Sequence, residues 1–132
     1  MLTNSEAQIP FQISWVYTED IDSTAKFYSR VLQFDCLRET GDVRIFHTAL
    51  QAAIGVCRLF DDRVVEPKGG MISLVTTDVD AWHERLLRNG AQIEEPPSRL
   101  EQFGIYRFAL RDPNGYWLEF QQFDDSSWLP PT

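Results

Sequence analysis

Cysteine, histidine and positive charge are scarce in this chain, and long apolar runs are missing. The two cysteines, Cys36 and Cys57, are too few for a disulfide framework and do not form a Cys-x-x-Cys pair. Two reduced thiols are expected. No apolar stretch approaches the ~20 residues that a membrane-spanning helix needs. The first ten residues show no basic stretch followed by an apolar one, so no secretory leader is expected. A cytoplasmic location without a membrane partner follows as the expectation. Twelve basic residues stand against twenty acidic ones, a net charge of −8. A face for nucleic-acid phosphates needs the opposite sign, so no nucleic-acid partner is expected. The same acidity suits a cationic or neutral small ligand.

What is present points to one packed domain. The chain has 132 residues, 43% of them hydrophobic and 13% aromatic. That is enough for a core and too apolar for disorder. A strand is expected over about 11–18. Asp20 and Asp22 then offer helix N-caps, because a carboxylate accepts the orphan N–H groups of a first turn. Ile21, Ala25, Tyr28 and Leu32 continue at helical spacing. Strands are expected over about 35–39, 43–49 and 53–60. Residues 61–70 carry charges, Pro67 and Gly69-Gly70, and read as a linker. The pattern then restarts. A strand at 71–76 precedes a helix capped by Asp78 and Asp80 that ends at Asn89-Gly90. A short strand at 91–94, a polar loop through Pro96, Pro97 and Gly104, and strands at 105–111 and 116–123 complete it. Asp112-Pro113-Asn114-Gly115 is a strong hairpin signal.

The order is therefore βαβββ, linker, βαβββ. The halves share a register: Val16-Tyr17-Thr18-Glu19-Asp20-Ile21-Asp22 matches Leu74-Val75-Thr76-Thr77-Asp78-Val79-Asp80. Module one spans about 10–60 and module two about 71–123, with a tail at 124–132. One helix covers only one face of a four-stranded sheet. The expected α+β fold is an eight-stranded mixed sheet curled around a concave groove, with helices on the outer face. The groove is the default site for a small-molecule ligand.

Two segments carry a family resemblance. The run Asp20 to Tyr28 with Val31-Leu32-Gln33-Phe34 resembles the first helix of the vicinal oxygen chelate superfamily, which includes glyoxalase, bleomycin-resistance and extradiol dioxygenase proteins. Gln33 replaces that family's usual Gly. The run Arg107 to Phe120, with Asp112-Pro113-Asn114-Gly115 at its turn, resembles the closing hairpin. The resemblance covers about 11–123 and implies a homodimer. It also implies where a metal would be held. Its first-strand ligands lie seven residues before each helix-start Asp, which reaches Ile13 and Met71. Neither suits a hard divalent ion, and a two-residue slip reaches only Trp15 and Ser73. The last-strand positions are Glu119 and Gly55, or Cys57 with a slip. One carboxylate is too few for a catalytic metal, so no metal and no cofactor are expected.

Strand alternation sorts the remaining candidates. Trp15, Tyr17, Ser73 and Val75 are expected to face the groove, with Trp117, Glu119 and Gln121. Val16, Thr18, Ile72, Leu74, Thr76, Leu118 and Phe120 are expected to face the helices. Trp15, Tyr17 and Trp117 around Glu119 would suit a planar or cationic ligand, because ring faces attract cations. The leading expectation is a metal-independent binding protein of the bleomycin-resistance kind. The alternative is a glyoxalase-like lyase or isomerase with Glu119 as base and His47 as its partner. Other residues have simpler readings. Arg44 and Arg107 are surface cations by default, His83 is a solvated helix residue, and Cys57 has no base beside it. Trp128 is expected to dock on the body or on a neighbouring subunit.

Overall fold

A computed structural model describes residues 8–130. The eight expected strands are present: β1 (Gln12–Thr18), β2 (Asp35–Glu39), β3 (Val43–Ala49), β4 (Ala52–Arg58), β5 (Met71–Val75), β6 (Ile93–Leu100), β7 (Ile105–Arg111) and β8 (Trp117–Phe123). They divide into two four-stranded sheets with the same order, β1-β4-β3-β2 and β5-β8-β7-β6. In each sheet the first strand runs parallel to the last, and the other pairs are antiparallel. The internal repeat is thus a repeat of topology.

The helices are α1 (Ile21–Lys26) and α2 (Val79–Arg88). Asp20 accepts the Ser23 N–H at 3.1 Å, and Asp78 accepts the Ala81 N–H at 3.0 Å, as N-caps do. The second acid of each pair does other work. Asp22 pairs with Arg44 at 3.3 Å, and Asp80 accepts the Tyr106 hydroxyl at 2.6 Å. A π-helical turn, Phe27–Val31, extends α1. It widens the backbone so that the Leu32 N–H reaches the Phe27 carbonyl at 3.1 Å. Tyr28 and Leu32 are fully buried. Gln33 then sits in the left-handed region, φ 61°. That is where the resembling family carries glycine, and a side chain there is strained.

The sequence reading placed a loop at Pro96-Pro97, and the structure corrects it: β6 runs through both prolines. It can do so because β6 is an edge strand, where a missing N–H leaves no ladder partner unpaired. The ladder to β7 is irregular between Ile93 and Glu95 and between Glu95 and Ser98. β4 also ends at Arg58, two residues short of Phe60.

The core lies between each sheet and its helix. Val16, Phe46, Ile54 and Val56 pack against Tyr28 and Leu32. Phe108, Leu110, Leu118 and Phe120 pack against Val79 and Leu86. The Tyr28 and Phe46 rings stack at 5.6 Å, and Phe108 and Phe120 stack at 5.0 Å. All of these residues belong to one apolar cluster, and polar contacts also join the two modules. Asp112 accepts the Tyr28 hydroxyl at 2.9 Å and the Asn114 and Tyr116 N–H groups at 2.8 and 3.0 Å. Asn114 donates to Thr24 at 2.9 Å, and Asn89 donates to the Val31 carbonyl at 2.8 Å. Among the described residues no helix is long and apolar enough to cross a membrane.

Burial pushes the Asp112 carboxyl above its usual range, and its three donors offset this only in part. A raised folded value means that the stability Asp112 contributes is fully present below the ordinary carboxylate range and is lost as pH rises through the folded value. The stability difference between the wild type and Asp112→Asn should therefore grow in the wild type's favour as pH falls, in urea melts from pH 7 to 4. Asp112→Ala should cost about 3 kcal/mol, because it leaves buried donors unpaired. Gln33→Gly should raise stability by about 1 kcal/mol by relieving the left-handed backbone, measured by the same melts.

Candidate ligand site

The open face of each sheet is the one its helix leaves uncovered. On β1 it carries Ile13, Trp15 and Tyr17, the alternate residues to the buried Val16 and Thr18. On β5 it carries Met71, Ser73 and Val75, and on β8 Trp117, Glu119 and Gln121. The expected alternation therefore describes the strands as they stand.

In the first sheet, Trp15 is opposite Gly55 in the parallel β1–β4 register. A Cβ added at Gly55 would come within 2.4 Å of Trp15 Cε3. Glycine is needed there because the indole lies against the backbone; Trp15 as a whole is 41% exposed. In the second sheet the equivalent pair is Ser73 and Glu119. Glu119 is buried, and neither carboxylate oxygen is free. Oε2 lies 3.4 Å from Arg107 Nη2, and Oε1 accepts from Gln121 Nε2 at 2.9 Å. Gln121 Nε2 also donates to Ser73 Oγ at 2.9 Å, and Arg107 pairs with Glu95 as well. The result is one polar chain, Ser73–Gln121–Glu119–Arg107–Glu95, buried at Gln121, Glu119 and Arg107 and exposed at its two ends. Arg107 Nε is buried in it without a partner among the described residues.

Arg107 is thus no surface cation; only 8% of it is exposed. The signal was available. Phe108 and Leu110 mark the helix side of β7, so Arg107 falls on the face that carries Glu119. Its cross-strand partner is Gln121.

Trp15, Met71, Tyr116 and Trp117 converge on a hollow of ≈ 270 Å³, rimmed by Glu66 and Pro67 of the linker. Tyr17 joins Trp15, Tyr116 and Glu66 in an adjoining hollow of ≈ 340 Å³ with Asp62 and Arg63. The Tyr116 hydroxyl accepts the N–H groups of Tyr17 and Glu66, at 3.3 and 3.4 Å. It pins the linker over β1, a role the sequence reading did not assign. The Arg111 guanidinium lies 4.6 Å from the Trp117 ring centre. Trp15, Tyr17 and Trp117 are therefore neighbours, while Glu119 lies outside both hollows, in the polar chain.

His47 is on β3, in the other sheet from Glu119. Its ring stacks on Phe11 at 6.3 Å, and Nε2 is 3.3 Å from the Leu50 carbonyl oxygen. The two share no partner. Arg44 binds Asp22 and Glu39 at 3.3 and 3.4 Å. His83 is half-buried with its ring 5.2 Å from that of Phe108, so it is not simply solvated. Burial pushes the Cys57 thiol up, away from the thiolate a nucleophile needs. Trp128 docks edge-on against Phe123 at 4.8 Å.

The metal positions implied by the resemblance do not suit a divalent ion. Ile13 has no donor, Gly55 lies under an indole, Met71 is a thioether, and Glu119 is already held by Arg107. Among the described residues no group of three or more His, Cys, Asp or Glu converges.

Two βαβββ modules, each with one helix on its four-stranded sheet, define the class. The model of the Glyoxalase/Bleomycin resistance protein/Dioxygenase superfamily matches residues 11–120, and the chain belongs to that superfamily. No curated protein sequence matches it. Among solved structures it is similar to a glyoxalase/bleomycin resistance protein/dioxygenase from Nocardioides: 14% identity over 96% of this chain and 91% of that one, TM-score 0.74. It is similar to lactoylglutathione lyase from Agrobacterium tumefaciens: 20% identity, 95% and 98% covered, TM-score 0.71. It is also similar to TioX from Micromonospora sp. ML1: 21% identity, 86% and 97% covered, TM-score 0.67. At these identities the likeness is one of fold.

Gly55→Ala should displace Trp15, shift the tryptophan emission and cost about 1–3 kcal/mol by overpacking. Arg107→Leu should cost about 3–5 kcal/mol by leaving the buried Glu119 unpaired, and adding Glu119→Gln should restore part of it. Chemical denaturation of the four variants of that cycle provides the check.

Proposed function

We propose that the protein is a small-molecule binding protein that works without a metal and takes an aromatic or cationic ligand. One observation carries this reading: Trp15 and Trp117 line one hollow together with the exposed residue Glu66. An indole face attracts a cation at about 0.5–2 kcal/mol, as Trp117 does with Arg111, and the net charge of −8 favours a cationic ligand. Tyr17 extends the aromatic wall. Glu119 contributes from behind, fixing Arg107 and Gln121 on the adjoining sheet face. The lyase or isomerase alternative needs Glu119 as a free base, and the contacts to Arg107 and Gln121 weigh against it. The same reading has the protein act in the cytoplasm as a homodimer. The unbridged Cys36 and Cys57 support the reducing compartment.

Benzyltrimethylammonium should raise the melting temperature in a concentration-dependent way, since a ligand of the native state stabilises it. Trp15→Ala and Trp117→Ala should each remove most of that shift. Absence of any shift in the wild type would remove the reading. Elemental analysis of protein purified after growth with Ni, Zn, Mn and Fe should find far less than one ion per chain. Near one ion per chain would return the enzyme alternative to the front.

A further inference from the structure

β1 and β5 are edge strands of separate sheets that line a shared seam, and no ladder joins them. On the helix side this seam opens into a cavity of ≈ 430 Å³, within the size range of small-molecule sites. We propose that this cavity is a second ligand site, separate from the Trp15–Trp117 hollow, and that it takes a neutral, flat aromatic molecule.

Three aromatic walls come from three separate elements. Trp82 is on α2, Phe34 follows the π-helical turn, and Phe120 is on β8. Trp82 is 4.9 Å from Phe120 and 6.1 Å from Phe34, tilted to both. The Arg85 guanidinium lies over the Trp82 ring at 4.3 Å, which orients the indole. Ile54 and Leu74 complete an apolar floor. Ser14 and Thr48 supply hydroxyls, and Gln12 and Gln51 carboxamides, around it. Such a wall-and-rim arrangement fits a planar ring system with polar atoms at its edge.

The charge pattern decides the ligand's class. The chain is 24% charged, so about four of the sixteen residues lining an average surface patch would carry charge; here none does. A charged ligand would lose its water and find no residue of opposite charge among those lining the cavity, which favours a neutral one. The hollow on the other side of the seam shares Ser14 and Ile72 with this cavity but carries Glu66. One seam therefore offers a neutral site and an acidic one. The inference is independent of the function proposed above, which rests on the acidic hollow alone.

Titration of the isotope-labelled full chain with 2-naphthol, followed by amide and indole N–H resonances, tests it. Saturable shifts are expected at the Trp82 indole and at the Thr48 and Leu74 amides, with the Trp15 and Trp117 indoles unmoved. Benzyltrimethylammonium should leave the Trp82 indole in place. Leu74→Trp, which fills the cavity, should weaken 2-naphthol at least tenfold. Thr48→Glu at the rim, whose side chain packs in no core cluster, should also weaken it several-fold and serves if the first variant does not fold. Shifts centred on Trp15 and Trp117, no saturable shift, or undiminished affinity in a folded variant would each overturn the proposal. The cation's effect on Trp15 and Trp117 reports separately on the acidic hollow.

Discussion

One carboxylate stands where the first helix of this protein meets its last hairpin. Asp112 sits at the turn of the last hairpin, and its two oxygens receive the Tyr28 hydroxyl and two backbone N–H groups. The first contact crosses from module one to module two; the other two shape the turn. The carboxylate therefore fixes the hairpin and docks the first helix on it at once. Tyr28 and Leu32 join there the core cluster that residues of both modules share, and β1 and β5 line the seam between the modules. Both hollows and the cavity lie along that seam.

The two repeats have spent equivalent positions in complementary ways. On the open face, module one pairs a large residue on its first strand, Trp15, with Gly55 on its fourth. Module two pairs a small residue, Ser73, with Glu119. The volume removed at one position is taken up at its neighbour, as close packing requires. The chemistry differs accordingly. Module one presents an indole on a bare backbone, whereas module two buries Gln121, Glu119 and Arg107 in a polar chain that runs from Ser73 to Glu95. Neither leaves a set of free donors for a divalent ion, although the fold is that of a superfamily with metal-dependent members.

Much of this architecture was legible from residues alone. Alternation placed Trp15, Tyr17, Trp117 and Glu119 on the open faces because a strand's side-chain period is strict. Asp20 and Asp78 marked helix starts because an unpaired first turn needs an acceptor close by in sequence. The site was less legible. Glu119 read as a lone carboxylate because its cation, Arg107, is brought to it by sheet curvature and a cross-strand neighbour. His47 read as a candidate partner because sequence does not reveal which sheet's open face a strand histidine shares. β6 read as a loop because two prolines argue against a strand, unless the strand lies at an edge.

The sequence by itself determined the elements, the repeat and the faces, since capping, periodicity and alternation are local and act within a few residues. Tertiary structure alone decided which carboxylates are free. Glu66 is at a rim and Glu119 is locked to Arg107, and nothing within a few residues of either distinguishes them. It alone decided that Gly55 is a cradle for an indole, and that the seam has a charged side and a neutral one. Those properties belong to residues distant in the chain that meet only when the modules pack, and electrostatics and packing depend on who the neighbours are.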